Sequence, residues 1–234
     1  TSGSTGDAKC VKLSHANVAA NAASIAQYLE ITHEHRGLVN LPVHYSYGLS
    51  IVHSHLYAGA TILLTDESVM EESFWAFAKK HNATSFAGVP HVYELLHRTD
   101  LEQQAPPSLR YFTQAGGRLR DELVSHFANV AAKHDWRFFV MYGQTEATAR
   151  MAYLPPDLTR ERPGAIGKAI PGGRLSVQDE TGAPLAPGAE GELVYEGPNV
   201  MMGYASSDND LTAGPSLDKL VTGDLAVQEP DGLF

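Results

Sequence analysis

Two clusters in this sequence carry side chains suited to holding a phosphorylated ligand. The chain opens with Thr1-Ser2-Gly3-Ser4-Thr5-Gly6-Asp7-Ala8-Lys9. Glycines let a backbone turn its N–H groups inward, hydroxyls add donors, and Lys9 adds a positive charge, which is the composition of a phosphate cradle. The same composition also describes a flexible surface linker. A kinase-type phosphate loop does not fit. It needs Gly directly before the Lys and Ser or Thr after it, where Ala8 and Cys10 stand, and it opens into a helix rather than a strand-like segment. The second cluster is Tyr142-Gly143-Gln144-Thr145-Glu146, which offers an aromatic ring, a hydroxyl and a carboxylate within five residues.

The run from Thr1 to Asn17 resembles the T-S-G-S-T-G-x-P-K-G-V-x-x-S-H-x-N signature of the adenylate-forming superfamily. That superfamily comprises acyl-CoA synthetases, nonribosomal peptide adenylation domains and luciferases. The matches are Thr1 to Gly6, Lys9, Val11, Ser14, His15 and Asn17, while Ala8 replaces the usual proline and Cys10 the usual glycine. Four further matches follow in the family's order. Pro42 to Gly48 resembles a segment whose His or aromatic lines and can gate the acyl pocket, a place we give to His44 with Tyr47 and Gly48 nearby. Ala115-Gly116-Gly117 resembles the glycine loop that approaches adenine and the acyl chain. Tyr142 to Glu146 matches Y-G-x-T-E, and Thr222-Gly223-Asp224 matches T-G-D. Gly191-Glu192-Leu193 and Gly203-Tyr204 match a structural stretch of the same family.

The resemblance implies ATP-dependent activation of a carboxylic acid as an acyl-adenylate with release of pyrophosphate, then transfer to the thiol of CoA or of an acyl carrier protein. It assigns Tyr142 and Gly143 to adenine, Thr145 to the α-phosphate, Glu146 to Mg²⁺, and Asp224 to the ribose hydroxyls of ATP or AMP. Lys9 and the loop Thr1, Ser2, Gly3, Ser4, Thr5 and Gly6 fall to the β- and γ-phosphates, and Gly116 and Gly117 to close approach by ligand. Amino-acid-activating members place an aspartate in the segment corresponding to Val43–Ser46; His44-Tyr45-Ser46 has no acid, which favours an acid lacking an amino group. An amino-acid adenylation domain and a catalytically inactive nucleotide-binding module are the alternatives.

The elements that must position these groups follow from periodicity. Short apolar runs at Lys9–Leu13, Gly37–Pro42, Ala60–Leu64, Ser85–Val89, Leu109–Gln114 and Phe138–Met141 read as strands. Helical spacing occupies Val18 to Leu29 after an N-cap at Ser14, then Ser73–Lys80, His91–Arg98 and Asp121–His134. Strand, Gly or Pro loop, helix in repetition predicts parallel crossovers, a sheet covered on both faces, and ligands at the strands' C-terminal ends. The texture changes near Pro155-Pro156. Past Gly164 only short alternating runs remain (Arg174–Gln178, Glu192–Tyr195, Leu220–Leu225), with no helix predicted. The expected architecture is a layered α/β/α domain with a largely parallel sheet over residues 1–160, then a small β-barrel-like subdomain over 161–234. The resemblance, with an opening loop that has no strand before it, leads us to expect a fragment of a larger N-terminal domain, inactive without the flanking part and a C-terminal lid domain.

Composition narrows the partners. With 17 Lys plus Arg against 27 Asp plus Glu, the formal charge is −10, which argues against nucleic acid or an anionic membrane as partner. No apolar run approaches a membrane span and no signal peptide is evident. The single Cys10 cannot form an internal disulfide, in keeping with a cytoplasmic protein. His33/His35 and His53/His55 are spaced to share one face of a strand, but without a Cys pair or an H-E-x-x-H they do not make a zinc motif.

Overall fold

The computed structural model describes residues 10–234. In chain order its elements are β1 (Cys10–Lys12), α1 (His15–Tyr28), β2 (Arg36–Val39), α2 (Ser46–Tyr57), β3 (Thr61–Leu64), α3 (Glu72–Lys80), β4 (Ser85–Gly88), α4 (Pro90–Leu96), α5 (Leu101–Gln104), β5 (Tyr111–Gln114), α6 (Asp121–Lys133) and β6 (Arg137–Tyr142). There follow β7 (Ala152–Leu154), β8 (Lys168–Ala169), β9 (Arg174–Gln178), β10 (Glu190–Glu196), β11 (Gly203–Ala205), α7 (Asp208–Thr212) and β12 (Leu220–Val227).

Seven strands form a mixed, mainly parallel sheet in the order β3-β2-β4-β5-β6-β7-β8. The pairs from β3 through β6 are parallel, and β7 and β8 add antiparallel at one edge. Side chains alternate across the pleat. Leu38, Phe86, Phe112 and Phe138 enter one apolar core with α3, α4, α5 and α6, while Val39, Ala87, Tyr111 and Phe139 enter another with α1 and α2. Helices therefore cover both faces, as the continuous apolar strands require. Helix α1 starts where Ser14 predicts: the Ser14 hydroxyl accepts from the Asn17 amide at 3.0 Å, and the Asn17 side chain accepts from the Ser14 amide at 2.9 Å.

Connections run outward from β2 to β3 and then back across to β4, so the winding reverses between β2 and β4. In open α/β sheets that reversal is the usual ligand crevice. Here Asn40, just past β2, donates its side-chain amide to the Ala87 carbonyl of β4 at 2.9 Å and fastens the two strands together. The loops that leave β5 and β6 emerge on the same edge of the sheet, one and two strands beyond β4.

Two expectations are corrected. The change of texture at Pro155-Pro156 is no structural break, because β8 continues the large sheet beyond residue 160 by pairing Ala169 with Ala152 and Lys168 with Tyr153. The stretch after Gly164 also contains a helix, α7. Its Ser207 hydroxyl donates to the Asp210 carboxylate at 3.0 Å, and the same carboxylate accepts from the Ser207 amide at 2.9 Å. Beside the large sheet the described residues form a three-stranded antiparallel sheet, β12-β10-β9, and a two-stranded ribbon, β1-β11.

Candidate functional site

A cleft of about 870 Å³ opens at the C-terminal ends of β5 and β6, facing β12. Gly116, Gly117, Tyr142, Gly143, Gln144 and Asp224 line it, together with Arg162 and Phe234. Segments separated by more than a hundred residues thus meet around one hollow, which lies within the usual range for small-molecule sites.

The closest junction joins the two sheets. The Tyr142 phenol at the end of β6 donates to Asp224 Oδ2 of β12 at 2.5 Å. Gln144 Nε2 donates to the same oxygen at 3.1 Å and to the Thr222 carbonyl at 2.9 Å. Both donors fall on Oδ2, so Oδ1 of this exposed carboxylate keeps its acceptor capacity. Burial first, and then the bond to Asp224, push the Tyr142 phenol above its ordinary range, so it stays protonated and remains a donor. Thr222 stiffens the turn: its hydroxyl donates to the Leu193 carbonyl at 2.8 Å and accepts from the Asp224 amide at 3.1 Å.

Glycines at the cleft are dictated by contact. A Cβ on Gly143 would stand 1.8 Å from the Ala149 carbonyl oxygen, because the chain folds back on itself directly after β6. Gly116 has φ +82°, and a Cβ there would stand 2.4 Å from the Tyr45 hydroxyl. That contact identifies the aromatic at the glycine loop as Tyr45, whereas His44 is exposed and does not line the cleft.

Thr145 and Glu146 lie in a 3-10 turn just beyond Gln144 and outside the cleft lining. Thr145 Oγ1 is 3.1 Å from the Ser46 hydroxyl at the start of α2, and Glu146 Oε1 accepts from the Tyr204 phenol at 2.9 Å. The next two residues, Thr148 and Ala149, have φ of 58° and 94°, which side-chain-bearing residues adopt at a cost of about 1–3 kcal/mol each. Buried Asn199 holds them there. It donates to the Ala147 and Arg150 carbonyls at 2.7 and 3.0 Å, and its own carbonyl accepts from the Thr148 hydroxyl at 2.7 Å. Thr1 to Gly6 and Lys9, assigned above to phosphates, lie outside the described residues.

The structure adds residues that spacing did not single out. Gln144 occupies the open position of its five-residue motif, and only the fold brings it to Asp224. Asn199 follows Gly197-Pro198, where sequence suggests merely a turn. The histidine pairs separate: α2 is a helix, so His53 and His55 do not share a face as strand residues would. His55 is buried against Gly37, whose missing Cβ would stand 2.3 Å from its Nε2, and burial lowers its pKa to about 4. Among the described residues no three or more His, Cys, Asp or Glu side chains converge to hold a metal. Glu146 presents one carboxylate beside the cleft. That suits Mg²⁺, which commonly takes one or two carboxylates and completes its shell with water and phosphate oxygens.

Comparison with known proteins matches residues 1–205 to the family described as AMP-binding enzyme. Oxalate–CoA ligase of Arabidopsis thaliana is 29% identical over 99% of this chain and 45% of its own length. L-proline–[L-prolyl-carrier protein] ligase of Pseudomonas fluorescens is 31% identical over 100% of this chain and 46% of its own length. Among solved structures, O-succinylbenzoate coenzyme A synthetase (MenE) of Bacillus subtilis, in complex with ATP and magnesium ion, superposes with a TM-score of 0.84 at 27% identity, over 100% of this chain and 47% of that one. The chain thus spans about half the length of the curated relatives it matches. No helix among the described residues is long and apolar enough to cross a membrane.

Proposed function

The chain belongs to the AMP-binding enzyme family, and from that premise we propose that it forms the nucleotide- and acid-binding part of an enzyme that activates a carboxylic acid with ATP. A carboxylate oxygen of the acid attacks the α-phosphorus, the bond to the β-phosphate oxygen breaks, and pyrophosphate leaves. A thiol of CoA or of a carrier protein then attacks the acyl carbon and AMP departs. The observation that carries this reading is the convergence of Tyr142, Gly116, Gly117, Gly143 and Asp224 on one cleft.

In the proposed complex the Tyr142 ring stacks on adenine and Asp224 accepts from the ribose hydroxyls. One carboxylate oxygen is already held by Tyr142 and Gln144, which fixes its aim before the nucleotide arrives. The bare backbone at Gly143 and Gly116 permits close approach. Thr145 hydrogen-bonds the α-phosphate, steadied by Ser46. Glu146, steadied by Tyr204, is the residue that would hold Mg²⁺, and the ion when bound would neutralise charge developing on the phosphate oxygens. Lys9 and Thr1 to Gly6 complete the assignment at the β- and γ-phosphates. Residues 1–160 supply most of this site and 161–234 supply the ribose carboxylate, with β9, β10 and β12 forming part of a barrel in the longer protein. The absence of any carboxylate in Val43–Ser46 supports an acid without an α-ammonium group, and the exposed, unpaired Cys10 supports a cytoplasmic setting.

The test is ATP–pyrophosphate exchange by the full-length protein across a panel of acids. Exchange should occur with at least one acid and fall at least 100-fold in Glu146→Ala and Lys9→Ala. Asp224→Ala should raise the KM for ATP. Unchanged exchange in all three variants would refute the assignment.

A further inference from the structure

Arg150 is 1% exposed and carries a full guanidinium charge into the core between α2 and β6, yet none of the ion pairs of the described residues includes it. All its polar partners are neutral. One terminal nitrogen donates to the Tyr28 phenol at 3.0 Å and to the Met141 sulfur at 2.7 Å, and the other donates to the Ser50 hydroxyl at 3.0 Å. Among the described residues its Nε has no hydrogen-bond partner. The Tyr47 ring lies 4.6 Å from the guanidinium carbon. An unpaired charge of this kind strongly opposes folding unless something else compensates it.

Among the described residues no acid lines the surroundings of the guanidinium. A water-sized void beside Arg150, about 10 Å³, is lined in equal part by the polar Ser54, His55, Ser85, Tyr111 and Thr113 and by apolar side chains. Met141 is the partition, because the residue that receives the guanidinium on its sulfur also lines the cleft. A thioether is a weak acceptor on a flexible side chain, and so is the partner most readily exchanged for a better one. Tyr45, at Gly116, packs edge-on at 6.2 Å against Tyr47, the ring that lies by the guanidinium.

We propose that Arg150 is the seat for a second anionic group, at the end of the acid remote from the carboxylate that is activated. The substrate is then a dianionic acid, a dicarboxylate or a carboxylate bearing a sulfonate. Its tail enters past Gly116, displaces the Met141 sulfur and pairs with the guanidinium. The inference rests on the acid-activation reading above and narrows its substrate class.

Pyrophosphate exchange by the full-length protein tests it, using dicarboxylates of two to eight carbons beside the monocarboxylates of equal length. At least one dicarboxylate should exceed its monocarboxylate by on the order of 100-fold in kcat/KM, chiefly through KM. Arg150→Met should collapse that ratio to within a fewfold of one, and Arg150→Lys should retain part of it. Should Arg150→Met fail to fold, the wild-type ratio and the shift in melting temperature of the wild-type protein with each acid decide alone. Monocarboxylates preferred throughout, with exchange intact, overturn the anion seat and leave acid activation standing. No exchange with any acid overturns both.

Discussion

Replacing Gly143 by alanine tests the geometry on which the cleft depends. The added Cβ would meet three backbone atoms: the Ala149 carbonyl oxygen at 1.8 Å, its carbon at 2.7 Å and the Arg150 Cα at 2.9 Å. None is the end of a movable side chain, so the turn itself must open. Overpacking typically costs 1–3 kcal/mol, and a clash confined to backbone belongs at the top of that range, about 3 kcal/mol. In a cooperative unit of this size each kcal/mol lowers Tm by about 2–4 °C, which gives a fall of about 6–12 °C. Two other glycines separate the contributions. Gly223 has φ +79° with nothing within 4 Å, so Gly223→Ala carries conformational strain alone, about 1–2 kcal/mol. Gly214 has open space and no positive φ, so Gly214→Ala should stay within about 0.5 kcal/mol of the parent. Melting of the full-length protein, followed by circular dichroism, should rank the three variants in that order. Gly143→Ala melting level with Gly214→Ala would refute the argument, since no side-chain movement can absorb a 1.8 Å contact.

Other outcomes follow from single contacts. Asn199→Ala strands the Tyr195 phenol and the Ala147 carbonyl in a buried place and leaves the Arg150 carbonyl with Asn21 alone, and should cost about 2–4 kcal/mol in urea denaturation, with exchange activity falling as the Thr145–Glu146 turn relaxes. Tyr142→Phe keeps the ring and removes the donor to Asp224; it should raise the KM for ATP more than it lowers kcat, measured by exchange at saturating acid. His55 is held neutral in the folded state with a pKa of about 4, while its unfolded value is near 6.5, so the unfolded chain binds the extra proton in between. Its contribution to stability is complete above about pH 6.5 and is lost as pH falls towards 4, by roughly 3 kcal/mol in all. Urea midpoints of wild type and His55→Gln should converge across that window.

The fold was legible where apolar periodicity and loop residues agreed. The parallel strands, α1 with its Ser14 cap, and the placement of cleft-lining loops at strand ends all follow from one dimension. The elements that escaped are those whose partners lie far away. β7 and β8 are three and two residues long and exist because β6 offers an edge. Helix α7 is brief, although Ser207 and Asp210 carry the Ser-x-x-Asp spacing of a cap and could have signalled it. In the site, Tyr142, Gly143 and Asp224 were readable as motif positions, whereas Gln144 and Tyr45 were not. Motif spacing cannot say that an open position will cross to another sheet, nor which of two neighbouring residues a helix start turns inward. Arg150 was equally silent, since an arginine in sequence reads as surface until the core closes over it.

The left-handed pair Thr148-Ala149 has a consequence for how such a protein can change. Glu146 and Arg150 leave opposite ends of one contorted loop, clamped in the middle by Asn199. On the proposed roles, one end serves the ion and the other selects the acid. A drift in substrate preference that reshapes the Arg150 end therefore drags on the ion's carboxylate, and mutational paths to new acids should run through compensations at the clamp rather than through the arginine alone.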